Sequence, residues 1–188
     1  MDEAKGKEEI YKIWNELISK ENFEVMYFLF GPAIDLFKEA LLCYQNGAYM
    51  AAVIMCRSVT EVLIYLVATG DIKEISKNGV GEVEMNIELC DAQFDELLEK
   101  AKEKLPVIRK LECKINKIRE KGNFVAHYGQ RLDKQFLKKM KKAQSKEAKK
   151  QIEKEVIWIK KGDAFKVLKE TVSVLSKTTN EVVKLYFT

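Results

Sequence analysis

Ile118-Arg119-Glu120-Lys121-Gly122-Asn123-Phe124-Val125-Ala126-His127-Tyr128-Gly129 holds the only histidine in a chain of 188 residues. It closes a run in which Ile108, Leu111, Ile115 and Ile118 recur at three- and four-residue spacing. That spacing places one apolar stripe on a helix. Gly122-Asn123 reads as an interruption near Lys121, since glycine is a poor helix former. The pattern turns helical again from Phe124 to Tyr128. Residues upstream read as helices that surround this stretch. Residues downstream read as a charged excursion and a closing helix.

Upstream, residues 3–28 predict an amphipathic helix through Ile10, Ile13, Trp14 and Leu17, with a candidate break near Lys20 to Asn22. Gly31-Pro32 predicts a stop and a new start, because proline suits the first helical turn. The helix from Pro32 to Asn46 carries Ile34, Phe37, Leu41 and Tyr44 on one face, and Gly47 ends it as a left-handed cap. Ala48 to about Val67 is apolar nearly all round, as a central helix is. Its Arg57 and Glu61 stand four apart and share a face. Two full charges near its middle disfavour a membrane span, so no membrane is expected. If buried, Arg57 and Glu61 form an ion pair that also bonds a nearby loop backbone; a catalytic role is the other reading.

Residues 72–89 alternate Val83, Met85, Ile87 and Leu89 with polar neighbours after an Asn78-Gly79 turn signal. A short hairpin or an irregular loop both fit. Asp91 is a candidate cap for a helix through Phe94, Leu97, Leu98 and Ala101. Pro106 marks the next break.

Downstream, residues 131–154 hold ten basic groups against three acidic ones. Lys138, Lys139, Lys141 and Lys142 lie at its centre. Residues 1–90 carry 8 basic and 15 acidic groups, whereas residues 131–188 carry 16 and 7. The overall charge of +4 therefore hides a basic C-terminal third. That third is either a polyanion-facing surface or a solvated helix face. Val156 to Ile159 suits a strand or a docking strip. Gly162-Asp163-Ala164 opens a last helix with Asp163 as N-cap, burying Phe165, Leu168, Val172, Leu175, Val182 and Leu185.

These patterns predict one all-α domain: an N-terminal helix over 3–28, a core over 32–127 and 163–187, and a Lys-rich helical insertion over 131–161. Cys43, Cys56, Cys90 and Cys113 lack Cys-x-x-Cys spacing. They read as small buried hydrophobes of a reducing, cytoplasmic compartment. No metal or other cofactor is expected, and the first residues lack the apolar core of a secretory signal.

His127 is the one side chain that titrates near neutrality when unperturbed. Cleavage of RNA by its own 2′-hydroxyl needs proton transfer and charge stabilisation at phosphorus. Arg119 matches phosphate geometry. Asn123 shares a helical face with His127. One chain offers one histidine, so separate acid and base would come from a two-fold homodimer. The competing reading is structural: Arg57, Glu61, Asn123 and His127 form a buried polar network around a helix kink.

Three segments resemble the HEPN superfamily, and more closely a prokaryotic branch found alone or fused to restriction-enzyme subunits. They are Tyr44-Gln45-Asn46-Gly47-Ala48-Tyr49-Met50-Ala51-Ala52 followed by Arg57 and Glu61; Ile118-Arg119, Gly122-Asn123 and Ala126-His127; and Gly162-Asp163-Ala164. The resemblance implies an up-and-down bundle of four or five core helices that dimerises. It also implies a metal-independent endoribonuclease or RNA-binding role in prokaryotic defence or toxin–antitoxin systems, with His127, Arg119 and Asn123 as the site. The nuclease motif places arginine directly before the polar residue; here Gly122 stands there and Arg119 lies three residues earlier. RNA, a second copy of the chain and another protein are the candidate partners.

Overall fold

The computed structural model describes residues 8, 11–15, 17, 23–75, 81–89, 91–127, 141–142, 145 and 159–187. Of residues 71–75, 81–84, 87, 186 and 187 only the backbone course is described. Helices make the architecture: α1 (Phe23–Gln45), α2 (Tyr49–Thr69), α3 (Phe94–Lys104), α4 (Pro106–Ala126) and α5 (Lys161–Phe187) pack as an all-α bundle. An N-terminal helical segment adds Ile13 and Leu17 to the core.

Gly31-Pro32 bends the chain without ending the helix. The backbone of Phe30 leaves helical geometry (φ −125°, ψ 16°), and α1 resumes beyond it. Proline lacks an N–H and its ring crowds the carbonyl four residues back, which kinks a helix. The expected separation at this point is therefore a kink, with Met26 and Phe30 buried on the near side. Tyr27 spans it. Its hydroxyl bonds both Asp35 oxygens at 3.0 and 3.1 Å. The Asp35 carboxylate raises the Tyr27 phenol above its ordinary range, first through the hydrogen bond and then through its charge.

α1 and α2 turn back on one another through a Schellman motif. Ala48 N–H bonds the Cys43 carbonyl at 2.8 Å, and Gly47 N–H bonds Tyr44 at 3.1 Å. Gly47 supplies the left-handed residue (φ 77°) that this geometry requires. Nothing lies within 4 Å of a Cβ built there, so Gly47→Ala meets only the backbone cost. We expect a loss of about 1 kcal/mol by urea denaturation.

The short turn makes α1 and α2 antiparallel neighbours and puts α2 at the centre. α1, α3, α4 and α5 all pack on it. α2 is the one described helix long and apolar enough, by length and composition, to cross a membrane. In this fold it is the core instead, with Ala52, Val53, Cys56, Val59, Leu63 and Ile64 at 1% exposure or less. Its polar groups are satisfied locally: the Thr60 hydroxyl donates to the Cys56 carbonyl at 2.9 Å and Thr69 to Tyr65 at 2.8 Å. Buried Thr171 and Thr179 of α5 do the same, bonding Val167 and Leu175.

After α2, β1 (Gly70–Ile75) and β2 (Gly81–Met85) pair antiparallel, with a register shift between Ile72 and Glu74. A 3-10 turn, Ile87–Leu89, follows. The Asn78-Gly79 turn signal lies outside the described residues. Asp91 does not cap α3; the cap position is Gln93, which makes no side-chain cap bond. α3 and α4 meet at a single residue, the buried Leu105, held extended (φ −133°, ψ 99°). Proline at 106 dictates that, because the residue before proline avoids helical geometry. Helix α5 begins at Lys161, two residues before the expected Asp163 cap. Asp163 sits in its first turn and accepts from the Lys160 N–H at 3.4 Å. Its apolar face holds, except that Leu185 is 59% exposed.

The cysteines divide. Cys56 is buried, Cys43 partly so, and Cys113 is exposed, contrary to the expectation of uniform burial; Cys90 lies outside the described residues. Burial pushes the Cys56 thiol up to about 12, although Thr171 hydrogen-bonds it in the opposing direction. Folding therefore favours its neutral form. This contribution is intact below the unfolded pKa of about 9 and is lost as pH rises from there towards 12. Iodoacetamide at pH 8 is expected to label Cys113 in the native protein and Cys56 only after unfolding, read by peptide mass.

Candidate functional site

The stripe Ile108, Leu111, Ile115, Ile118, Gly122, Val125 faces the core along α4, and all six are buried. Gly122 therefore does not interrupt the helix. α4 runs unbroken from Pro106 to Ala126. The glycine is there for space. A Cβ on it would lie 2.4 Å from Arg57 Cβ, 2.8 Å from Cδ and 3.0 Å from Cγ. The stem of Arg57, from α2, lies directly across the bare backbone of α4.

From that crossing the Arg57 side chain leads towards Glu61. Arg57 Nε donates to Glu61 Oε1 at 2.8 Å. The same carboxylate oxygen lies 3.8 Å from Arg119 Nε. That distance is an ion pair and too long for a hydrogen bond, so the buried Arg119 Nε has no hydrogen-bond partner. Arg119 Nη1 donates to Asp95 Oδ1 at 2.9 Å, and its guanidinium lies 4.2 Å from the Phe94 ring centroid. Two arginines and two carboxylates thus form a charge-balanced chain joining α2, α4 and the start of α3.

This chain is partly wet. Arg57, Glu61 and Arg119 are 27%, 29% and 30% exposed, and Asp95 is 84% exposed. The predicted Arg57–Glu61 pair exists, but it is not fully internal and, among the described residues, is not bonded to a loop backbone; its second partner is Arg119. Exposed pairs contribute about 0–1 kcal/mol each. The guanidinium–ring contact adds roughly 0.5–2 kcal/mol according to its desolvation.

Asn123 and His127 stand apart from it. Asn123 is half-buried, and its carbonyl accepts the His127 N–H at 2.9 Å. His127 is the C-cap of α4 (φ −95°, ψ 3°), with an exposed side chain. Eight residues at about 100° each turn it roughly 80° round the helix from Arg119 and carry it about 12 Å along the axis. Arg57 leans the other way, towards Glu61. The expected buried network of Arg57, Glu61, Asn123 and His127 is thus divided: Arg57, Glu61 and Arg119 meet, while His127 faces solvent. A helix C-terminus carries partial negative charge, which suits a cation better than a phosphate.

Of the lysines assigned to nucleic acid, Lys141 and Lys142 are helical and exposed. Lys138 and Lys139, like most of 128–158, lie outside the described residues. Two members of the cluster escaped the sequence reading, Phe94 and Asp95. Their signal was present: an aromatic–acid pair opening a helix, one helix before the arginine assigned to phosphate. Gly122 was noticed for the wrong reason, since its place in the three–four apolar rhythm marks a core position.

Comparison with family models, curated proteins and solved structures finds no match to this chain in any of the three.

Proposed function

We propose that this chain is a HEPN-like interaction module, dimerising and non-catalytic, in which Arg57, Glu61 and Arg119 are structural. One observation carries this reading. The position before Asn123 is filled from outside by the Arg57 stem, and both nearby guanidiniums are committed to carboxylates. A phosphate would have to displace Glu61 or Asp95 to reach them. Within one chain, His127 has neither arginine beside it.

A second reading, a metal-independent endoribonuclease assembled across a dimer, draws support from the exposed His127 beside exposed Phe124 at the end of α4. The basic segment that follows would attract RNA. Incubating the purified protein with structured and single-stranded RNA in EDTA separates the two. The module reading expects intact RNA with wild type and His127→Ala alike. It also expects the His127→Ala melting temperature to stay within about 2 °C of wild type, as for a surface substitution. Cleavage by wild type that His127→Ala abolishes would replace the first reading with the second.

A further inference from the structure

The outer faces of α1 and α4 carry opposite charge. On α1, Phe28, Pro32, Asp35, Glu39 and Leu42 recur at three- and four-residue spacing and are all exposed. They form one stripe, about 21 Å long. Two carboxylates lie on it between two large apolar side chains, Phe28 and Leu42, 56% and 45% exposed. The base beside it, Lys38, is turned aside over the Trp14 ring of the N-terminal segment. On α4, Arg109, Lys110, Cys113, Lys117 and Glu120 form the exposed stripe opposite the buried one. Three bases there stand against one acid. Among the described residues, Arg109, Lys110 and Lys117 pair with no carboxylate, whereas Lys100 and Lys102 of neighbouring α3 both do.

The two stripes do not meet within one chain. α1 and α4 each pack on α2 and on α5 but not appreciably on one another. They therefore stand on a diagonal of the bundle, and their outer faces point apart. The occupant that complements each stripe in charge is the other stripe, and we infer that this chain associates head to tail, the basic face of α4 in one copy lying on the acidic face of α1 in the next. Asp35 and Glu39 are about 6 Å apart along their helix and Lys110 and Lys117 about 10 Å, a difference that lysine side chains span. Such a contact is heterologous: each copy keeps one face of each sign unused, so assembly passes the dimer or closes as a ring. It rests on neither His127 nor the two-fold dimer that the HEPN likeness implies.

The test is sedimentation velocity of the full chain. One helix laid on another buries less than about 1,200 Å², so association is expected at roughly 10–100 μM in low salt, with mass rising past a dimer. Salt of about 0.5 M should weaken it about tenfold, because exposed charges are screened. Lys110→Glu/Lys117→Glu and Asp35→Lys/Glu39→Lys should each be monomeric alone and associate again when mixed, since each supplies the sign that the other lost. Glu39→Lys alone leaves the Tyr27–Asp35 bond in place and should weaken association about fivefold. Glu88→Lys/Glu96→Lys changes the net charge as much at exposed positions off both stripes, and it should associate as wild type does. A wild type that stays monomeric, association by another face that both reversals leave intact, mixed variants that stay apart, or a control that dissociates overturns the assignment. A monomer that binds a labelled oligonucleotide through Lys110 and Lys117 overturns it too, and makes the α4 stripe a nucleic-acid surface.

Discussion

Gly122→Ala is expected to cost about 3 kcal/mol, or roughly 6–10 °C in melting temperature for a domain of this size. The sign is the informative part. In an open helix the same change would stabilise by up to about 1 kcal/mol through propensity alone. Here the new methyl group would sit 2.4 Å from Arg57 Cβ. Both carbons are fixed to backbone, so no rotamer change relieves the contact and α2 must move from α4. Arg57→Ala in the same background is expected to rescue little, because it keeps Cβ. Arg57→Gly should recover most of the loss, despite its own helix penalty of about 1 kcal/mol. Gly122→Arg, which would place arginine directly before Asn123, should fold worst of the set. Thermal melts followed by circular dichroism decide the order. A Gly122→Ala protein as stable as wild type would mean that the helices do not cross as described.

Glu61→Ala is expected to lose about 2 kcal/mol in urea denaturation. Among the described residues, its carboxylate oxygen is the one that pairs with both Arg57 and Arg119, at 2.8 and 3.8 Å. Removing it leaves two guanidiniums across a crossing that the glycine keeps tight. Breaking a fully buried pair costs about 3–5 kcal/mol. With roughly a third of each side chain in contact with water the effect should be smaller, since solvent screens what remains. Asp95→Ala is the control. At 84% exposure it should change stability by less than about 0.5 kcal/mol. If the two substitutions cost the same, Glu61 is not the centre of the cluster.

Much of this architecture is readable from spacing. Ile34, Phe37, Leu41 and Tyr44 declare the buried face of α1, and Ile108, Leu111, Ile115 and Ile118 that of α4. Gly47 and Pro106 mark real boundaries because each acts through local backbone: a left-handed φ in one case, the extended geometry that a proline ring imposes on the residue before it in the other. Gly31-Pro32 and Gly122 were harder, because a kink and a break share one local signal. What distinguishes them is a neighbour far away in sequence. Gly122 is explained by Arg57, 65 positions earlier. The site shows the same limit. The Arg57–Glu61 pair follows from i,i+4 spacing, whereas Phe94 and Asp95 join Arg119 only through the packing of α3 on the core. His127 looked central because it is chemically singular. The phase of α4 turns it outward, and that phase is set by the apolar stripe, not by the histidine.

The central position of α2 also has a consequence for synthesis. When α2 leaves the ribosome, α1 is the one of these four packing helices already made. Helices α3, α4 and α5 come later, and α5 starts at Lys161, 92 residues after Thr69. At about 5–20 residues per second, an unusually apolar helix waits roughly 5–20 s for its last covering partner. During that interval α1 and α2 are a helical hairpin with one face in water. The tight Gly47 turn pairs them early and shields one side of α2; the other side is the surface that a ribosome-associated chaperone would meet.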